Sequence, residues 1–180
     1  MRIISGKYRS MILAEFKGDD IRPTADRVKE SLFNIIAERV PFSRVLDLFC
    51  GSGGLGLECI SRGAAEVYFN DISRDSLKVL KKNLARLKGE ENYKVTNLDF
   101  SACLFSFSEK FDLIFLDPPY RLEAGTEALK IIAKLGLLAE DGIAVLERDR
   151  PFAGKVDGLE LYDERKYGIT YLSFFRNSSC

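Results

Sequence analysis

Asp117-Pro118-Pro119-Tyr120 is the segment whose residue types say most about chemistry. Each proline fixes its own φ and restricts the residue before it, so the Asp117 carboxylate and the Pro118 carbonyl form two fixed acceptors. The exocyclic amino group of a nucleobase needs such a pair, because its nitrogen lone pair is delocalised into the ring. Hydrogen bonds accepted from both N–H groups draw the nitrogen towards a tetrahedral geometry and localise that lone pair. Positive charge developing on the nitrogen then faces the carboxylate. Tyr120 adds a flat face on which a base can stack, worth about 1–3 kcal/mol per base. A base stacked elsewhere would have to flip out to reach it. A Pro-Pro turn that merely closes a buried strand, with Tyr120 in the core, is the plainer alternative.

Gly51-Ser52-Gly53-Gly54-Leu55-Gly56 supplies the second chemical signal, a G-x-G-x-x-G loop directly after an apolar run. Such loops bind dinucleotides when an acid follows about 20 residues on, and Asp71 stands there. A carboxylate at that position can accept from both hydroxyls of a cofactor ribose. Asp47 separates the candidate cofactors. It precedes Gly51 by four residues and points into the region a pyrophosphate would occupy. Two like charges about 4 Å apart repel by roughly 4 kcal/mol at an effective dielectric of 20. A carboxylate there suits a cationic ligand, and S-adenosylmethionine carries both an ammonium and a sulfonium. Asp47 could instead cap the loop through its backbone amides. Asp99, after the third expected strand, can accept from an adenine amino group, with Phe100 flanking the ring. Phe49 and Ile72 complete the expected cofactor set, beside Asp47 and Asp71.

Composition narrows the chemistry further. Among 180 residues there is no histidine, which removes Ser-His-Asp and Cys-His nucleophile systems, His-based zinc sites and any histidine general base. Methyl transfer from a sulfonium to an amine survives that exclusion, because it depends on positioning and needs no titrating base. Cys50, Cys59, Cys103 and Cys180 are widely spaced with no Cys-x-x-Cys pair, so neither zinc nor a disulfide framework is expected. Neither a signal peptide nor a membrane span is expected, and the default location is the cytoplasm. Lys+Arg and Asp+Glu balance at 27 each, so nucleic-acid binding would need a local patch. The first ten residues carry Arg2, Lys7 and Arg9 and no acid. Lys78, Lys82 and Arg86 recur at i, i+4 and read as a solvated helix face rather than a phosphate track.

These groups need a scaffold, and the remaining pattern supplies one. Residues 1–20 read as an arm of two short strands joined by a Ser-Gly turn. Val28, Leu32, Ile35, Ile36 and Val40 recur at helical spacing until Pro41. Strands are then expected near 45–49, 66–71, 93–98, 112–117 and 142–147, and helices from the glycine loop to 61 and over 76–88 and 126–134. A hairpin from 160 onward closes the chain. Apolar strands separated by helices mean a mostly parallel sheet with helices on both faces, an α/β, Rossmann-like architecture of seven strands with a closing antiparallel hairpin and a short N-terminal β-arm.

With these motifs in place the chain resembles the RsmD-type methyltransferases, class I S-adenosylmethionine-dependent enzymes that modify a guanine exocyclic amine (N2) in 16S ribosomal RNA. The resemblance covers nearly all 180 residues and is carried by Arg2-Ile3-Ile4-Ser5-Gly6-Lys7-Tyr8-Arg9, Arg22-Pro23-Thr24-Ala25-Asp26-Arg27-Val28-Lys29-Glu30 and Phe33-Asn34-Ile35. It continues through Asp47 to Gly53, Asp117 to Tyr120 and Arg165-Lys166-Tyr167-Gly168. It implies that residues 1–41 form an arm and helix for RNA contact and a lid, and that 42–180 form the methyltransferase domain. It further implies that Asp117 to Tyr120 grip the guanine and that Asp47, Asp71 and Asp99 hold the cofactor. Arg2, Lys7, Arg9, Arg22 and Arg27 would meet RNA or order the lid. The implied partner is ribosomal RNA in the small subunit or its assembly intermediate, with no metal and no membrane. Two alternatives stay open at this point: an adenine amino-methyltransferase acting on DNA, and a non-catalytic assembly factor on the same fold.

Overall fold

Successive strand residues face opposite sides of a sheet, and in this chain both sides are apolar. The computed structural model describes residues 1–15, 26–119 and 123–178. Its strands are β1 (Arg44–Asp47), β2 (Glu66–Asn70), β3 (Tyr93–Thr96), β4 (Phe111–Leu116), β5 (Leu138–Arg148), β6 (Leu159–Tyr167) and β7 (Thr170–Asn177), in the order β3-β2-β1-β4-β5-β7-β6. The first five pair in parallel, and β7 runs antiparallel between β5 and β6. Five α-helices accompany them among the described residues: α1 (Asp26–Ile35), α2 (Gly54–Ser61), α3 (Arg74–Leu84), α4 (Phe100–Phe105) and α5 (Ala124–Leu135). Val45, Val67, Phe69, Leu113 and Phe115 pack on one face with Leu32 and Phe33 of α1, Leu57 of α2 and Leu80 of α3. Leu46, Tyr68, Ile114 and Leu116 pack on the other with Leu104 of α4 and Leu129 and Ile132 of α5. The expected class of fold is therefore present. No helix of the described residues is long and apolar enough to cross a membrane.

Three local expectations differ from what is observed. The helix expected up to Val40 ends at Ile35, and a short 3-10 turn follows over Ala37–Arg39. Ile36 and Val40 are still fully buried, so their spacing tracked burial rather than helix continuity. The six-residue α4 was not expected. Asp99 starts it as an N-cap, accepting from the Ser101 N–H at 2.9 Å. In the arm, the two expected strands reduce to a single antiparallel bridge between Arg2 and Ile12. The reason lies in where the arm's other amides go. Ile4 and Ser5 donate to the two carboxylate oxygens of Glu58 at 2.8 and 3.0 Å, and Lys7 donates to the Ser61 carbonyl at 2.7 Å. The arm thus pairs with itself around Ile3, through Ile3 N–H to the Met11 carbonyl and Ser10 N–H to the Ile3 carbonyl, while its next amides go to α2.

Glu58 is the centre of a buried ion cluster. Its carboxylate lies 3.3 Å from the Lys29 ammonium and 2.8 Å from Nε of Arg62, and both Glu58 and Lys29 have fully buried side chains. Lys29 also donates to the Arg2 carbonyl at 2.5 Å, and Arg62 stacks over the Phe33 ring. One carboxylate thereby binds α1, α2 and the arm together. Burial pushes the Lys29 amine below its ordinary range, while Glu58 works in the opposite direction. Glu58→Ala should cost about 3–5 kcal/mol in urea unfolding, because it leaves the Lys29 charge buried without its counter-ion and two arm amides without an acceptor. Adding Lys29→Met should restore part of that loss. No recovery in the double variant would show that the amide contacts, and not the ion pair, carry the effect.

Candidate active site

The carboxyl ends of β1 to β5 form one edge of the sheet, the place where open α/β sheets bind ligands. Asp47 ends β1 there, level with Phe69 of β2 and Phe115 of β4. It is 2 % exposed, and its Oδ2 accepts from the Gly56 N–H at 2.9 Å, inside the first turn of α2. The cap through a backbone amide, held open above, is thus present. A single amide does not offset the desolvation of a carboxylate, and burial pushes the Asp47 carboxyl up to about 7, with Asp71 adding like charge. A cation in the loop would be stabilised there.

The glycine loop owes its shape to two close approaches. Gly53 precedes α2 with φ +88°, and a Cβ would lie 2.4 Å from a Leu80 methyl. A Cβ on Gly56 would lie 2.2 Å from the Phe69 ring. Asp71 braces the loop from outside, accepting from the Gly51 N–H through Oδ2 and the Ser73 N–H through Oδ1, both at 2.8 Å. Carboxylate oxygens retain lone pairs beyond these, so ribose hydroxyls remain compatible with the arrangement. Ile72 is 70 % exposed at the same edge. Phe49 and Phe100 meet with ring centroids 5.6 Å apart, and Asp99 stands exposed beside Phe100. The Ser101 hydroxyl and then its N–H hold the Asp99 carboxyl below its ordinary range, so it is an ionised acceptor. An adenosine moiety fits this set, with acceptors for ribose and amine and an exposed apolar side chain against the ring. Cys50, in the loop, is buried, and burial pushes its thiol well above the ordinary value, so it packs as a small apolar group.

Asp117, Pro118 and Pro119 follow β4 at this edge: Asp117 is half-buried, Pro118 buried and Pro119 exposed. Tyr120 and Arg22 lie outside the described residues. Arg2, Arg9 and Arg27 are exposed, with Arg2 Nε 3.8 Å from Asp26. Lys7 is engaged within the fold. Its ammonium lies 2.6 Å from Glu91, whose carboxylate holds it above its ordinary range, and Glu91 also accepts from the Tyr8 hydroxyl at 2.6 Å. On the helix face read as solvated, Lys78 pairs with Asp75, and Arg86 donates to the Ile12 carbonyl.

Two asparagines missed by sequence reasoning shape the site. Asn70, at the end of β2, donates to the Leu48 and Leu98 carbonyls and accepts from Leu98 N–H and the Thr96 hydroxyl. It ties together the chain leaving β1, β2 and β3. Asn83 of α3 donates to the Ser52 and Ala14 carbonyls and accepts from Ala14 N–H. The available signal was a carboxamide at the end of an apolar strand and another inside an amphipathic helix, both buried against expectation.

Asp47 also yields a pH prediction. Its folded-state carboxyl is raised to about 7 from an ordinary 3.8, so between those values the folded chain holds a proton that the unfolded chain has lost. The stability it contributes is complete below about 3.8 and disappears as pH rises through 7. Asp47→Asn keeps an acceptor for Gly56 and should therefore melt at a higher temperature than the ligand-free parent at pH 8. The two melting curves should converge towards pH 4. A constant gap across that range would show that Asp47 is ionised throughout.

Residues 1–176 match the family model described as "Conserved hypothetical protein 95". The chain is 36 % identical over 181 residues to "Putative rRNA methyltransferase YlbH" of Bacillus subtilis, covering 98 % of each chain. It is 34 % identical to ribosomal RNA small subunit methyltransferase D of Haemophilus influenzae, covering 98 % of this chain and 94 % of the relative. Among solved structures, "Putative methyltransferase yhhF" from Escherichia coli superposes with a TM-score of 0.87 at 32 % identity, over 98 % of this chain and 97 % of the other.

Proposed function

Because the chain belongs to the Conserved hypothetical protein 95 family, the RsmD-type methyltransferases, we propose that it transfers a methyl group from S-adenosylmethionine to the N2 amine of a guanine in small-subunit ribosomal RNA. The observation that carries this reading is the parallel pairing of β1 with β4. It sets the buried acid Asp47 and the Asp117-Pro118-Pro119 segment at neighbouring strand ends, which supports reading one as the cation site and the other as the amine site.

S-Adenosylmethionine supplies an electrophilic methyl on a sulfonium. Asp47 receives the cationic methionine end, Asp71 the ribose hydroxyls, and Asp99, Phe100 and Ile72 the adenine. Asp117 and the Pro118 carbonyl accept from the two N–H groups of the guanine amine and turn its lone pair towards the methyl. Most of the acceleration comes from that alignment. As the N–C bond forms, the S–CH3 bond breaks with its electron pair kept by sulfur, and S-adenosylhomocysteine leaves. The nitrogen, now cationic beside Asp117, gives its proton to Asp117 directly or through water. The exposed bases Arg2, Arg9 and Arg27 supply RNA phosphate contacts, which will weaken as salt rises.

The test is to incubate the protein with labelled S-adenosylmethionine and ribosomal RNA, assembled small subunits or duplex DNA, then digest and identify the labelled nucleoside. Label in N2-methylguanosine is expected, and label confined to DNA adenine would overturn the substrate assignment. Asp117→Ala should lower transfer by about a hundredfold or more while leaving cofactor affinity within a few-fold of the parent. A large loss of cofactor binding in that variant would place Asp117 on the cofactor instead.

A further inference from the structure

One buried carboxylate at the same sheet edge is not used above. Glu147, near the end of β5, is 6 % exposed. The parallel pairing of β4 with β5 sets Leu116 opposite Leu146, which brings Asp117 level with Glu147 one strand away. Paired strands lie about 4.8 Å apart. Glu147 alternates with Val145, and Asp117 with Phe115, on the sheet face that Val45 also occupies, the face of Asp47. Along the edge the acids therefore run in the order Asp71, Asp47, Asp117, Glu147, over or just beyond β2, β1, β4 and β5.

That order constrains where a base can lie. The methyl group arrives from the side of β1, and the accepting amine is held at Asp117. The amine's three existing bonds slope away from the incoming methyl, and the strand next to Asp117 on that side is β5, so the ring has room over β5. We propose that Glu147 is the residue that reads the base, accepting a hydrogen bond from the ring N1–H of the target guanine while Asp117 accepts from its N2 amine. The inference rests on the amine-methylation reading and sharpens it.

The chemistry separates guanine from adenine. Guanine presents N1–H and the N2 amine as adjacent donors, and two carboxylates one strand apart present acceptors to both. Adenine presents an unprotonated ring nitrogen next to its amine, which would set a lone pair against the Glu147 carboxylate. The same pair of acids that grips one purine repels the other, so selectivity needs no further contact. Burial sharpens the discrimination, since a carboxylate removed from water strongly disfavours an unpaired lone pair facing it.

The decisive substrate is RNA in which the methylated guanosine, once mapped, is replaced by 2,6-diaminopurine. That base keeps the 2-amino group and exchanges N1–H for a lone pair. The parent protein should prefer guanosine by about 10–100-fold in kcat/KM. Glu147→Gln can turn its carboxamide N–H towards the ring nitrogen and should bring the ratio close to one, with cofactor affinity unchanged. Glu147→Asp, which keeps the charge, should retain the guanosine preference. An unchanged ratio in Glu147→Gln, or an equal loss on both RNAs, would overturn the assignment, since a merely structural residue moves both rates together. Failure of the underlying reading looks different: the parent protein would then leave guanosine unmethylated.

Discussion

The Glu58 carboxylate is the contact on which the remaining architecture depends. Its two oxygens receive two arm amides, the Arg62 guanidinium and the buried Lys29 ammonium, so removing this carboxylate takes a partner from all four at once. Isolated charges are expensive to bury, and this cluster is stable because every member satisfies its neighbours. The geometric consequence reaches the arm's own glycine. A Cβ on Gly6 would lie 1.9 Å from the Ser61 carbonyl, so the arm can approach α2 this closely only with hydrogen at that position. Ile3 and Leu13 are then carried into the core shared by α1, α2 and the sheet.

Where Asp47 meets the first turn of the same helix, the physics is reversed. Glu58 is surrounded by donors and cations, whereas Asp47 is buried against one turn of backbone with a second acid nearby. One carboxylate is fully compensated by the fold, and the other is compensated only partly. A protein that places an undercompensated acid at the mouth of a glycine loop has prepared that loop for positive charge. The amides of Gly51 and Ser73 are already taken by Asp71.

Much of this was legible in the sequence because strand periodicity and acid placement are local properties. The β1, β2, β4 and β5 runs, the glycine loop and the acids that follow them appear in the chain as contiguous patterns. What was not legible depended on contacts across the fold. Glu58 reads as an ordinary helix acid, and only the approach of residues 4 and 5 and of Lys29 makes it a hub. Asn70 and Asn83 carry no sequence mark of the 22 to 69 residues their bonds span. Lys7 was readable as a basic group free for RNA, but Glu91, 84 residues away, sets its partner. The arm's pairing is cut short for the same reason: α2 takes the amides of Ile4, Ser5 and Lys7, and the pairing around Ile3 remains within the arm.

Asp47 also makes the loop a store of protons. With its carboxyl pushed up to about 7, Asp47 carries a fractional proton near neutral pH. A cation that comes to rest against it sends that proton into solvent. The heat measured on filling the loop then includes the ionisation heat of whichever buffer receives the proton, and it changes with the buffer although the contacts do not.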